Sequence, residues 1–492
     1  MSIITTQTIT QTVTLGPGTY PNYASPLTIT STGVVEVNST IAGVAGILGP
    51  VGPAGTVTNL GTVASIGSQG IGVYLLSGGF VTNGASGATA ALITGSETGI
   101  DISGSAGTIA NFGTIASTAT APIGTGVYLG AGGSVSNGAT NATGAVIAAS
   151  KFGVYIQNNA GTVVNFGSIT SSADTGVWLN TGTIVNGPSG ATHALISGAF
   201  DGVFIAVGNG NVANYGTVVS GNGKDGVCLY AGGSVSNGQS GAAAALISGY
   251  AWGVEIQHSA GTVINFATVE STGTAGTTSG VLLSAGGTVT DAGTIRGASG
   301  TAIGFGGTSA SRLILDPGYH LGGKAFGSTS AGATNTLELG SAAGTGTLSG
   351  LGSSFVHFGA VGVDAGAGWV LASTNAIGAG QTLSVAGQLA DLGTLTNAGV
   401  ITGGGKLVVD PASLINTGSI GMAVTLATGS YLDNKPSGAI AVAGVAVLGS
   451  GRGTVVNQGG IASAAGVAVQ LQAGGSVTNK SAGSITGGGG GV

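Results

Sequence analysis

The chain has 492 residues, of which 102 are glycine and only 5% are charged, and its net charge is −6. So little charge beside 42% hydrophobic residues excludes solvated disorder, and the absence of a strict Gly-X-Y period excludes collagen. Nine basic residues, scattered and beginning only at Lys151, exclude the cation clusters that a nucleic-acid interface requires. Met, Gln, Glu, Lys and Arg are scarce, which predicts almost no helix. The one cysteine, Cys228, cannot form an internal disulfide. No run of 18 apolar residues predicts a membrane-spanning helix, and no N-terminal leader for export is legible in MSIITTQTITQTVTLGPG.

In chain order, residues 1–55 read as a cap, with strand-like TITQTVTL and SPLTITSTGVVEV on either side of a Pro/Gly turn. Residues 56–310 are repetitive. An apolar-x-Asn motif ends at Asn59, Asn83, Asn111, Asn137, Asn165, Asn186, Asn214, Asn237 and Asn265, with steps of 24, 28, 26, 28, 21, 28, 23 and 28 residues. Asp291 then takes the place of Asn. Each repeat holds three short apolar runs, for example Ser134–Ser136, Ala145–Ile147 and Gly153–Ile156. Three short strands per repeat is the pattern of one turn of a parallel β-helix, whose turns share a core that none could bury alone. The expectation is an all-β, right-handed parallel β-helix of about 20 coils, forming a rod on the order of 100 Å long at roughly 4.8 Å per rung. A β-propeller with blades of about 50 residues is the competing fold, but no four-strand blade signature appears.

The coils alternate. Leu60, Phe112, Phe166, Tyr215 and Phe266 follow the Asn in one kind, and glycine follows it in the other, which predicts core or turn packing of the large residue. The Asn column itself is predicted to be a structural ladder, its amides bonding turn backbone or the next Asn, with a left-handed backbone tolerated. Residues 311–395 lose the spacing, and residues 396–492 resume shorter coils around Asn397, Asn416, Asn434, Asn457 and Asn479, ending in mid-coil. A β-helix cut there would offer unpaired backbone for end-to-end association of copies.

The segments Gly161–Ile169 and Asn335–Leu339, with GTGTLSGLGSSFVHFGAVGVDAGAGWVL after the second, resemble the β-strand-repeat passenger regions of bacterial autotransporter and haemagglutinin-like surface proteins. The resemblance runs from about residue 55 to the C-terminus. It implies secretion or display on a bacterial surface and a structural or adhesive role. No membrane barrel follows the repeats.

The sequence offers few groups for chemistry. Asp201 and Asp225 each precede a Gly-Val strand start, so stacking would set them about 5 Å apart, a separation suited to a retaining glycosidase; an Asp-Gly turn is the plainer explanation. The four histidines lack metal-ligand spacing, Cys228 has no nearby histidine in sequence, and no calcium nonapeptide occurs, so no catalytic residue, metal or cofactor is predicted. The sharpest functional expectation comes from the third strand of each coil. Alternation turns its middle residue outward, giving Tyr74, Asp101, Tyr128, Tyr155, Trp178, Phe204, Cys228, Glu255 and Leu282 on successive rungs. Tyr128, Tyr155, Trp178 and Phe204 thus form an exposed aromatic row, either a binding surface or a cross-rung ladder that stabilises the strands. The expected partners are a cell-surface or matrix polysaccharide or other copies of the chain. A self-assembling filament subunit and a polysaccharide-degrading β-helix enzyme are the alternatives.

Overall fold

The computed structural model describes residues 2–18, 21–188, 193–221, 223–242 and 244–492. They form a parallel β-solenoid of about 20 turns, and none of the described residues is helical. The chain divides into two compact units, residues 1–284 with 294–300, and residues 285–293 with 301–492.

In the first unit each turn lays down three strands, one in each of three parallel columns. The turn beginning at Gly133 is representative, with strands Gly133–Asn137, Val146–Ala149 and Phe152–Ile156. Each strand pairs in parallel with its counterpart one turn on: Val135 with Val163, Ile147 with Ile169, Val154 with Val177. Val135, Ile147, Val154 and Ile156 point inward and are buried. Burial of each aliphatic contributes about 1.5–3 kcal/mol, and β-branched residues suit such pleated, packed positions. The first 50 residues already belong to this scheme. Ser2–Ile4 pairs with Leu27–Ile29, which pairs with Val57–Asn59, so the N-terminal segment contributes strands to the same stack.

The alternation of coils has a backbone cause. Gly84, Gly138, Gly187 and Gly238, directly after the Asn, have φ between 73° and 85°, a left-handed conformation that glycine adopts without strain. In these coils more residues separate the Asn from the second strand. Where Leu60, Phe112, Phe166, Tyr215 or Phe266 follows instead, the second strand starts at once and the large side chain lies half-buried at the corner, outside the core. Turn packing, not core packing, accounts for these residues.

In the second unit three parallel columns again stack. One runs through Ser311–Leu315, Asn335–Leu339 and Ala360–Val363, a second through Gly368–Ala372 and Gln388–Asp391, a third through Thr394–Asn397, Ser413–Asn416 and Tyr431–Asn434. The stretch without Asn spacing buries larger side chains, among them Phe355, Phe358 and Trp369. Gly346 makes room for the Trp369 ring, which a Cβ there would meet at 2.6 Å. On the outward side of the first of these columns, Arg312 and Glu338 pair across adjacent rungs, with Nη2 2.7 Å from Oε1.

Candidate functional site

The Asn column is fully engaged inside the fold. From Asn59 to Asn265 every side chain is buried, and each amide donates to the Oδ1 of the next Asn at 2.7–2.9 Å. Asn165 is typical. Its Nδ2 donates to Asn186 Oδ1 at 2.8 Å and to the carbonyl of Leu195 at 3.0 Å, while its Oδ1 accepts from Asn137 at 2.8 Å and from the Gly167 N–H at 3.2 Å. None of these Asn residues has positive φ; where the left-handed conformation occurs, the glycine after the Asn carries it. A second ladder joins Asn397, Asn416, Asn434, Asn457 and Asn479 at 2.8 Å per step. Donors and acceptors are spent on one another in both ladders, and of these Asn residues Asn479 alone is exposed.

The third column is different. Its strands carry a glycine beside the first inward valine or isoleucine, and a Cβ on Gly126, Gly153, Gly176 or Gly202 would approach the carbonyl of the next glycine up the column to 2.5–2.7 Å. That contact forces glycine and lets both it and the following residue face the core. The residues before the glycine and two after it therefore share the outer face. The outward register runs Tyr74, Asp101, Tyr128, Tyr155, Trp178, Phe204, Cys228, Glu255, Leu282.

Tyr128, Tyr155, Trp178 and Phe204 are half-buried, largely by one another. Ring centroids are 5.4 Å apart from Tyr128 to Tyr155, 4.6 Å from Tyr155 to Trp178 in an edge-on contact, and 6.0 Å from Trp178 to Phe204. Tyr230 extends the row at 6.4 Å from Phe204, His258 lies 4.2 Å beyond it, and Phe152 flanks Tyr155 at 4.7 Å. Gln157 ties two phenols together, accepting from the Tyr128 hydroxyl at 2.8 Å and donating to that of Tyr155. Tyr230 and His258 escaped the sequence reading because they lie just past the strands, outside the alternation that located the others.

One end of the row opens into a cleft of about 350 Å³, lined by Trp178, Phe204, Tyr230 and Phe200 and by Asp174, Asp201, Asp225 and Glu255, with Cys228 among them. Asp201 and Asp225 do stack, the Asp225 N–H donating to Asp201 Oδ1 at 3.0 Å. Cys228 and Glu255 are register partners on adjacent rungs. Both were expected on the open face; both are buried, at 3% and 5% exposure. The acids are desolvated with little compensating charge. Burial pushes Asp201 up to about 6, and burial followed by the charges of Asp201 and Glu255 pushes Asp225 higher still. Burial also raises Glu255 and the Cys228 thiol. Lys224, whose ammonium sits 5.5 Å from the Phe200 ring, is the lysine that acts electrostatically on this group. The stacking of Asp201 on Asp225 and the rung order Phe204, Cys228, Glu255 were legible in the sequence; their joint burial in one cleft was not.

No known protein family matches the chain, and no curated protein matches it. Among the described residues no helix is long and apolar enough to cross a membrane.

Proposed function

We propose that the protein is a secreted or surface-displayed adhesive solenoid that holds a neutral polysaccharide along its aromatic row, binding the chain without cutting it. The observation that carries this reading is the run of rings from Tyr128 to Tyr230 on one face, continuous over successive rungs and ending in a cleft. Rungs about 4.8 Å apart match the length of a pyranose unit, so successive sugars would meet successive rings. Flat rings bury the apolar faces of sugars, and the acidic cleft disfavours uronates, which leaves neutral glycans. The likeness to passenger repeats of bacterial surface proteins supports the same role.

The test is pull-down on insoluble neutral polysaccharides, with Trp178 fluorescence as a second readout. The Tyr155→Ser/Trp178→Ser double variant is expected to lose retention at temperatures where circular dichroism shows it folded. It also loses ring contacts worth roughly 1–3 kcal/mol, so a lower melting temperature is expected. Retained binding with reduced stability would make the row a purely structural ladder. New chain ends appearing in the polysaccharide would overturn the non-cutting role in favour of an enzyme.

A further inference from the structure

We propose that Asp225, Cys228 and Glu255 form a binding site for one zinc-class divalent ion at the floor of the cleft. The inference does not rest on the glycan reading. One ligand atom from each of the three residues lies within 4.8 Å of the other two. Cys228 Sγ is 3.9 Å from Glu255 Oε2, and Gln257 Nε2 holds that same oxygen at 2.5 Å, orienting the carboxylate. A tetrahedral ion with metal–ligand bonds of about 2.0–2.3 Å needs its ligands roughly 3.5 Å apart, a closure that small side-chain rotations supply.

A second observation points to a ligand. Asp225 is 1% exposed, it lines the cleft, and its Oδ1 has no hydrogen-bond partner. A buried carboxylate oxygen left unpaired is costly, and a coordinated cation removes that cost. The wider charge balance agrees. Four carboxylates, Asp174, Asp201, Asp225 and Glu255, share the cleft lining with the single cation Lys224. One divalent ion and the Lys224 ammonium would offset the three ligand charges of Asp225, Glu255 and the Cys228 thiolate, leaving Asp174 and Asp201 to keep the cleft acidic.

The donor set selects the ion. Calcium and magnesium take oxygen shells, whereas a thiolate beside two carboxylates suits zinc or cobalt(II). Binding replaces the thiol proton with a metal–sulfur bond, and that proton, with any carboxyl proton that Asp225 or Glu255 carries in the metal-free site, leaves to solvent. Asp225 and Cys228 come from one strand and Glu255 from the next rung, so the ion would also clamp adjacent turns together.

The experiment uses the full chain, freed of metal by dialysis against a chelator and titrated with Zn²⁺ by calorimetry and with Co²⁺ by absorption. One ion per chain is expected, with a thiolate-to-Co²⁺ charge-transfer band in the near ultraviolet. Cys228→Ser should remove the band and weaken binding by about tenfold or more. Asp225→Asn should weaken binding equally while raising the melting temperature of the metal-free chain, because it removes a buried acid with one oxygen unpartnered. Asp101→Asn, in the same column five rungs away, should leave binding unchanged. Should Cys228→Ser fail to fold by circular dichroism, Glu255→Gln carries the same affinity test. Absence of saturable binding to the wild-type chain overturns the proposal, as does binding that all three ligand variants retain.

Discussion

At the residue scale the fold is held by side chains whose polar atoms are matched one to one, and the exceptions are informative. Asn165→Ala would remove one acceptor of the Asn137 amide and leave Asn186 Oδ1 and the Leu195 carbonyl without this donor in a fully buried column. The expected loss is about 2–4 kcal/mol, read from chemical denaturation. Asn479→Ala, at an exposed position with one rung below it, should cost under about 1 kcal/mol. Asp391 is the opposite case. It is fully buried and its Oδ1 accepts from the Gly393 N–H at 3.1 Å, but Oδ2 has no partner, and burial lifts the carboxyl to about 6. An acid whose folded pKa lies above its unfolded value near 3.8 destabilises the fold when ionised. That penalty is absent below about pH 4, grows between pH 4 and 6, and is full above pH 6. Asp391→Asn should therefore stabilise the protein at pH 7 by roughly 1–3 kcal/mol after allowance for screening, and leave its stability near pH 3.5 unchanged. Thermal melts of the two proteins across that range check the sign.

At the element scale, the third column depends on backbone proximity that only glycine permits. Gly153→Ala would drive a Cβ to 2.5 Å from the Gly176 carbonyl and 2.6 Å from the Ile169 side chain. The strand would have to separate from its neighbour above, so a large fall in melting temperature is expected, on the order of 2–4 kcal/mol. Gly144→Ala is the internal control. It lies in a loop, has no positive φ and would meet nothing within 4 Å, so it should be neutral or stabilise by up to about 1 kcal/mol through the unfolded chain. The Gly-apolar-x-apolar pattern was legible in sequence. Its cause was not, because it lies in contacts between residues more than twenty positions apart.

At the scale of the whole chain, stability in a solenoid is close to a sum over turns and their nearest neighbours. Removing residues 112–165 joins Asn111 to Phe166 and rebuilds the Asn-Phe-Gly corner that both sites already have. The strands Gly107–Asn111 and Ser168–Ser171 are then connected as the strands of a natural turn are. This two-turn excision should fold, with an unchanged β-sheet circular dichroism spectrum and a melting temperature within a few degrees of the full chain. Loss of the spectrum would show that the turns are not interchangeable units. The excision removes Tyr128 and Tyr155, so it should also weaken polysaccharide retention.

What the sequence determined by itself was everything that repeats: three strands per turn, the inward valines and isoleucines, the Asn columns and the outward register of the third strand. Periodicity is a local property, and stacking copies it from rung to rung without further information. Only the tertiary structure decided what happens where the repeat is interrupted. It buried Cys228 and Glu255, brought them against Asp225, and added Tyr230 and His258 to the aromatic row. Those outcomes depend on how single, non-repeating side chains on adjacent turns shield one another from water. Desolvation of that kind is fixed by neighbours in space, and a pattern along the chain does not encode it.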